Sequence, residues 1–426
     1  MSGARTTSLP HGHVVVLGGG FGGLETAFDL RLQVGERARI TLVSDSDHFL
    51  FKPNSIYVPF GLDPEKLKVP LAKPAARKGI ELIRGRAEGV DPGAQTVDVD
   101  GRAIPYDFLV LATGAAMRPE EVPGLAEHAL TPWTPVEMLQ LRAGFQGLLD
   151  AAGSGQRRRV LFLVPPANKC AGPLYEIVLM LDTWLRRAGA RESAEIVWST
   201  FEDSYIQAFG PRLHDVAAAE FERRGIEAHA GWPVDRVEPD AVSYANGEQL
   251  PYDLLVAFPP YVAATPFAGL RSDERGFLAT EPESRRLVEH PEVFAVGDAG
   301  DFPVKQAFLA FLQADAAASH LAAELVGGEP AVGFDPVSMC VMEQFDKATF
   351  AQVPLRLTGD PEHPVEVRPD ADGDYRVGSS KAWRAGKKML GLSVPWRFSR
   401  GEPFHGGNFW RGMDAGLRAM SGLLAR

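Results

Sequence analysis

One segment limits this chain's fold more than any other. His13–Leu17 reads HVVVL, GGGFGG follows at once, and LETAFDLRL continues at helical spacing. A short apolar run ending in glycines reads as a buried parallel strand entering a tight turn. Gly18, Gly20 and Gly23 form G-x-G-x-x-G, with Phe21 and Gly22 completing the turn. Gly18 permits the sharp reversal, Gly20 lets a pyrophosphate approach the backbone, and Gly23 lets helix and strand close up. The helix start then offers unpaired N–H groups and a positive dipole end to phosphate. A second apolar run, ARITLVSD, supplies the next strand. An acid that binds ribose hydroxyls belongs at its end. Ser44 holds the usual position and Asp45 the next, so Asp45 is assigned that role, with a turn aspartate as the alternative.

The unit recurs in weaker form: RRVLFLV at 158–164, the helical EIVLMLDTWLRRAG, then AEIVWST. YDFLVLATG and YDLLVAFPP close the two units, and prolines mark linkers near 115–135 and 259–266. VFAVGDAGDF is a further strand with a Gly-Asp turn, followed by the helix FLAFLQADAAASHLAAELV. The expected class is α/β: two tandem Rossmann-like dinucleotide-binding domains with a C-terminal amphipathic, membrane-facing layer. The expected boundaries are a first domain at 1–125 completed by 259–332, a second at 126–258, and a C-terminal region at 333–426. A length of 426 residues suits such a division. A net charge of −11 argues against nucleic acid as a partner. No apolar run reaches the roughly 18–20 residues of a spanning helix. MSGARTTSLPHGH lacks the apolar stretch of a secretory signal, so a cytoplasmic location is expected. Cys170 and Cys340 are the only cysteines, too few for a disulfide scaffold, and on composition alone they read as structural or incidental.

The order GGGFGG, DHFLFKPNSIYVPFG, LVLATG, VFAVGDAG resembles a particular flavoprotein group. That group contains sulfide:quinone oxidoreductases, flavocytochrome c sulfide dehydrogenases and type II NADH dehydrogenases. The resemblance implies FAD in the first domain, with Lys52 in its site. It implies Thr113 and Gly114 close to the flavin nucleotide, and Gly297 and Asp298 at the ribityl chain. Lys305 resembles the lysine of a Pro-Lys segment in these enzymes. There it would stabilise the anion formed on flavin reduction; a solvated loop lysine is the alternative.

The second unit has VPPANKCAGPLYE where a nicotinamide-binding glycine turn belongs. Pro165 and Pro166 remove two backbone donors, so the phosphate cradle is missing. KCAGPLYE instead resembles the cysteine segment of the sulfide-oxidising members, with Leu174 interrupting their Pro-Tyr order. Cys170 stands just before a helix, whose dipole is expected to lower its thiol pKa. Cys340 falls, by order along the chain, where the family has its other redox cysteine. The resemblance therefore implies a Cys170–Cys340 redox pair beside the flavin. Glu176 is either a proton relay or an ordinary helix-start charge. The HFLFKPN region has no cysteine, which excludes a thioether to FAD and leaves it non-covalent. No haem-attachment or metal-ligand pattern is assigned.

Residues 381–426 hold nine Lys or Arg and two acids, with Trp383, Trp396 and Trp410 among them. Phe409, Trp410, Met413, Leu417, Met420 and Leu424 recur at helical spacing. A basic, amphipathic terminus suits an anionic bilayer interface; a helix packed on its own body is the alternative. The family's quinone-reducing members place this layer on the membrane, with PWRFSRGEPF at 395–404 a candidate quinone entrance. The resemblance thus implies sulfide attack on the cysteine bridge, with electrons passing to FAD and on to a membrane quinone. The protein would be peripheral on the inner face of the cell membrane. Rival readings are an NAD(P)H:quinone reductase, a sulfide dehydrogenase serving a cytochrome, and a flavin sensor without turnover. Homo-oligomerisation stays open.

Overall fold

The structure is a computed structural model that describes residues 12–425. The N-terminal segment examined for a signal lies almost wholly outside them. The chain runs through β1 (His13–Leu17), α1 (Phe21–Val34), β2 (Arg39–Ser44), α2 (Ala72–Arg77), β3 (Glu81–Arg84) and β4 (Phe108–Leu111). It continues through β5 (Ala129–Leu130), α3 (Pro135–Gly153), β6 (Arg158–Val164), α4 (Gly172–Arg187), β7 (Ala194–Thr200), α5 (Gly210–Arg224), β8 (Glu227–His229) and β9 (Leu254–Ala257). It then returns as β10 (Val293–Ala295) and α6 (Ala307–Val326). A final layer holds β11 (Val337–Glu343), β12 (Ala348–Leu357), β13 (Val365–Val367), β14 (Arg376–Ser380), α7 (Lys381–Ser399) and α8 (Gly407–Leu424).

Two five-stranded parallel sheets form, in the orders β10-β4-β1-β2-β3 and β5-β9-β6-β7-β8. Both read as Rossmann-like because their strands are continuous apolar runs covered on both faces. In each, the strand feeding the tight turn lies in the middle: the chain first adds strands on one side of it, β2 or β7, and then crosses back to add β4 or β9 on the other. Ligands sit at such a switch point, beyond the carboxyl ends of the strands. The first sheet takes its edge strand from residues 293–295, so its domain is discontinuous in sequence. The two stretches with linker prolines pair with each other: Ala115–Met117 runs antiparallel to Tyr261–Ala263.

The C-terminal layer departs from expectation in three ways. Trp383, one of the three tryptophans of this basic stretch, is fully buried and stacked on Phe350 at 4.0 Å between ring centroids. Of the nine basic residues, Lys387 and Arg397 are buried and Arg384 is half-buried; all three turn to internal acceptors. Residues 395–399 are the last turn of α7, and Phe404 is buried with its N–H donated to Glu25. The first two share a cause. One face of α7 must cover the β11–β12–β14 sheet, and the residues repeating every three or four positions on that face go inside whatever their charge. Among the described residues, no helix is long and apolar enough to cross a membrane.

Candidate functional site

The glycine turn does what its spacing requires. Gly18 has φ of +118°, and a Cβ there would meet the Ala112 carbonyl oxygen at 2.2 Å. A Cβ on Gly23 would meet the Gly18 carbonyl oxygen at 1.9 Å. A Cβ on Gly20 would meet nothing within 4 Å, so this is the open side of the turn. That side borders a cavity of about 630 Å³. Phe21 and Gly22 border it too, as do Ser44 and Asp45 at the end of β2, Thr113 and Gly114 after β4, and Gly297 and Asp298 after β10. Asp45 is exposed at the rim. The Thr113 hydroxyl is buried with no partner among the described residues, as expected of a group that bonds a ligand.

Two lysines enter the same cavity. Lys305 is 3% exposed, which removes the solvated-loop alternative. Its Nζ donates to the Gly300 carbonyl and lies 3.8 Å from the Phe277 ring centroid. Burial brings its ammonium down to about 7, with Asp298 pulling the other way. Lys52 holds its Nζ 3.4 Å from the Trp133 ring centroid, and burial brings it to about 8. Burial in turn raises the Asp298 carboxyl, opposed by both lysines.

The loop after β6 opens onto this cavity, with Cys170, Gly172 and Pro173 bordering it. Beyond β6, Pro165 and Pro166 lead to Ala167, whose φ is +61°. Asn168 pins the loop: its side chain accepts the Cys170 N–H at 3.0 Å and donates to the Phe258 carbonyl at 2.7 Å. α4 begins two residues after Cys170. Cys340 lies on β11, which packs against α4, and packing alone closes a separation of 170 positions. Both cysteines are free, half-buried and bordering the cavity.

The expected low thiol pKa of Cys170 is corrected. Burial raises it well above the ordinary range, and the Asp298 carboxylate and Cys340 add to the rise. The Gly172 N–H at the helix start does favour thiolate, but it is outweighed. Cys340 is pushed up to about 12, by burial first and then by Glu176, with Lys387 opposing. A dipole at the mouth of a helix is worth less than the hydration these sulfurs give up.

Glu176 is not a surface charge. It is 7% exposed, borders the cavity, pairs with Lys387 Nζ and accepts the Glu343 N–H at 3.2 Å. Burial raises its carboxyl, and Lys387 opposes the rise. Glu343, fully buried, accepts from the Tyr57 hydroxyl and from Arg384 Nε, each at 2.8 Å. Lys387, Glu343, Tyr57 and Trp133 were not singled out from sequence. Lys387 had a signal: it shares its helix face with Trp383, Gly386 and Val394 at helical spacing.

A family model described as pyridine nucleotide-disulphide oxidoreductase matches residues 12–143. The chain is 33% identical over 261 residues to the sulfide-quinone reductase of Aquifex aeolicus, an alignment covering 58% of each. It is 26% identical over 324 residues to the mitochondrial sulfide:quinone oxidoreductase of Mus musculus, covering 72% of this chain and 69% of that one. The X-ray structure of the Aquifex aeolicus sulfide:quinone oxidoreductase superposes with a TM-score of 0.81 over 95% of both chains, at 23% identity. The chain is thus similar to sulfide:quinone oxidoreductases, and its first third matches the pyridine nucleotide-disulphide oxidoreductase model. The matching family model implies FAD binding. The residues fit that group. The open Gly20 face, the unpartnered Thr113 hydroxyl and three strand ends on one cavity are what a dinucleotide requires.

Proposed function

We propose that this sulfide:quinone oxidoreductase-like enzyme oxidises sulfide through a Cys170–Cys340 redox pair and delivers the electrons to a membrane quinone. The observation that carries it is the placing of both cysteines on the cavity that holds the glycine turn. Oxidised, the pair is a disulfide. Hydrosulfide attacks one sulfur, the S–S bond breaks, and a persulfide forms on that cysteine while the other leaves as thiolate. FAD, held non-covalently, supplies a two-electron acceptor that quinone can reoxidise. Glu176 takes the proton released when hydrogen sulfide or the persulfide ionises, and Lys387 holds its carboxylate beside Cys340. Lys305 and Lys52 present cations to the polar end of the cavity, where negative charge develops. Asp45 would bond ribose hydroxyls, and Thr113 would bond the nucleotide. The prolines at 165–166 and the diversion of the second turn into this cavity disfavour a nicotinamide donor.

The test is an anaerobic titration of the yellow protein, following flavin absorbance. Sulfide is expected to bleach it, and Cys170→Ser or Cys340→Ser to abolish bleaching while FAD stays bound. Bleaching by NADH at a comparable rate would overturn the reading in favour of a nicotinamide-linked reductase.

A further inference from the structure

A second cleft, of about 760 Å³, lies outside the FAD cavity. The end of α1, the end of α2 and the turn between α7 and α8 enclose it. Arg31, Arg39, Arg77, Lys78 and Arg397 line it, against the carboxylates of Glu36 and Glu402. Five cations facing two anions stand out in a chain of net charge −11. Arg39 is committed to Glu81 at 2.7 Å and Arg397 to Glu402 at 3.1 Å. Arg31 ties the floor together, donating to the Ala38 carbonyl at 3.0 Å and the Gly79 carbonyl at 3.2 Å. Its Nε is buried without a partner among the described residues. Arg77 and Lys78 make no ion pair among the described residues, so the unneutralised charge sits at the end of α2.

The rim is apolar and continuous with the C-terminal layer. Leu32, 59% exposed, borders the cleft and touches Gly406. Beyond Gly407 come Phe409 and Trp396, exposed and 5.8 Å apart between ring centroids, and Leu392 is 74% exposed on the same helix as Trp396. An apolar knuckle beside a cationic hollow matches a lipid's own division into acyl chain and phosphate.

We propose that this cleft binds the phosphodiester headgroup of an anionic phospholipid, with Arg77 and Lys78 as its principal cations. The inference rests on the C-terminal layer lying on a bilayer. That contact puts the hollow at headgroup depth, and Arg77 and Lys78 then decide which lipids hold the enzyme.

The test is co-sedimentation of the FAD-loaded protein with phosphatidylglycerol-containing vesicles and with pure phosphatidylcholine vesicles. The comparison is with an Arg77→Glu/Lys78→Glu variant and an Arg77→Lys/Lys78→Arg variant. Each basic residue near an anionic surface is worth about fivefold in affinity, so reversing both charges is expected to cost about 25-fold or more on phosphatidylglycerol. Binding to phosphatidylcholine, FAD content and bleaching by sulfide are expected to stay unchanged, and the conservative variant to bind as the parent does. Equal phosphatidylglycerol binding by parent and charge-reversed protein would overturn the headgroup site and leave membrane contact standing. A parent protein that sediments with neither vesicle would overturn both, without touching the sulfide chemistry. If inorganic phosphate raises the melting temperature through Arg77 and Lys78 while vesicles do not bind, the cleft takes a soluble anion and the lipid assignment fails.

Discussion

Lys387 and Glu176 are an ion pair withdrawn from water, and each makes the other tolerable there. Removing one partner of such a pair costs about 3–5 kcal/mol, because the remaining charge is left buried. Lys387→Met is therefore expected to lower the melting temperature and to raise the Glu176 carboxyl further, since its nearest cation is gone. If Glu176 is the base, the acid limb of sulfide-dependent flavin reduction should move to higher pH, with Lys387→Arg restoring it. Stopped-flow rates across pH that show no such movement would confine Lys387 to a structural role. Glu25 offers a second titration, away from the cysteines. Its carboxyl accepts the N–H groups of Phe404 and His405, with Asp315 and His405 at 2.6 Å from each other alongside. Asp29, Arg397 and Asp414 surround the group. Burial, then Asp315, raises Glu25 from 4.5 to about 8. A raised acid stabilises the fold fully below its unfolded value and loses that contribution as pH rises through the folded one. The melting temperature should accordingly decline between about pH 4.5 and 8, and Glu25→Gln should flatten the decline. A slope unchanged by the substitution would count against it.

At the scale of elements, α1 and α7 are the two whose placement decides the site. α1 can approach β1 only because Gly23 has no side chain. Gly23→Ala drives a methyl to within 1.9 Å of a backbone oxygen that cannot retreat, so the helix must shift away from the phosphate turn. Purified Gly23→Ala protein is expected to have lost most of its FAD absorbance. α7 divides its faces between core and surface. Trp383→Ala should cost about 3–5 kcal/mol in chemical denaturation, as deletion of a buried aromatic does. Leu392→Ser, on the exposed side, should stay within about 0.5 kcal/mol while weakening vesicle binding.

Over the whole molecule, the C-terminal layer is not a detachable membrane anchor. It supplies Cys340 through β11 and Lys387 through α7, and Leu390 and Trp410 also border the cavity. Deleting residues 381–426 is expected to abolish sulfide-dependent bleaching and to expose the Phe350 face, giving aggregation and dye binding. A folded, soluble, FAD-retaining truncation would show that the layer is independent after all. Much of the architecture was legible beforehand, because parallel strands buried on both faces leave unbroken apolar runs. β1, β6 and β7 occupy the runs HVVVL, RRVLFLV and AEIVWST residue for residue. The FAD side of the site was legible for a related reason: glycines at a phosphate turn are demanded by backbone geometry, which is local.

What stayed hidden was whatever depends on depth. The sequence by itself determined the strand–turn–helix repeat, the first phosphate turn and its absence from the second, and two cysteines, one in a recognisable motif and one placed by order along the chain. Only the tertiary structure decided that the second turn faces the first unit's cavity. Only it decided that Glu176 meets Lys387, that Trp383 is core, and that burial raises the thiol pKa values where a helix end alone would lower them. The physical reason is that periodicity and turn chemistry act between neighbours in the chain. Desolvation and charge pairing are set by whichever distant segments pack on top, and no short window of residues records them.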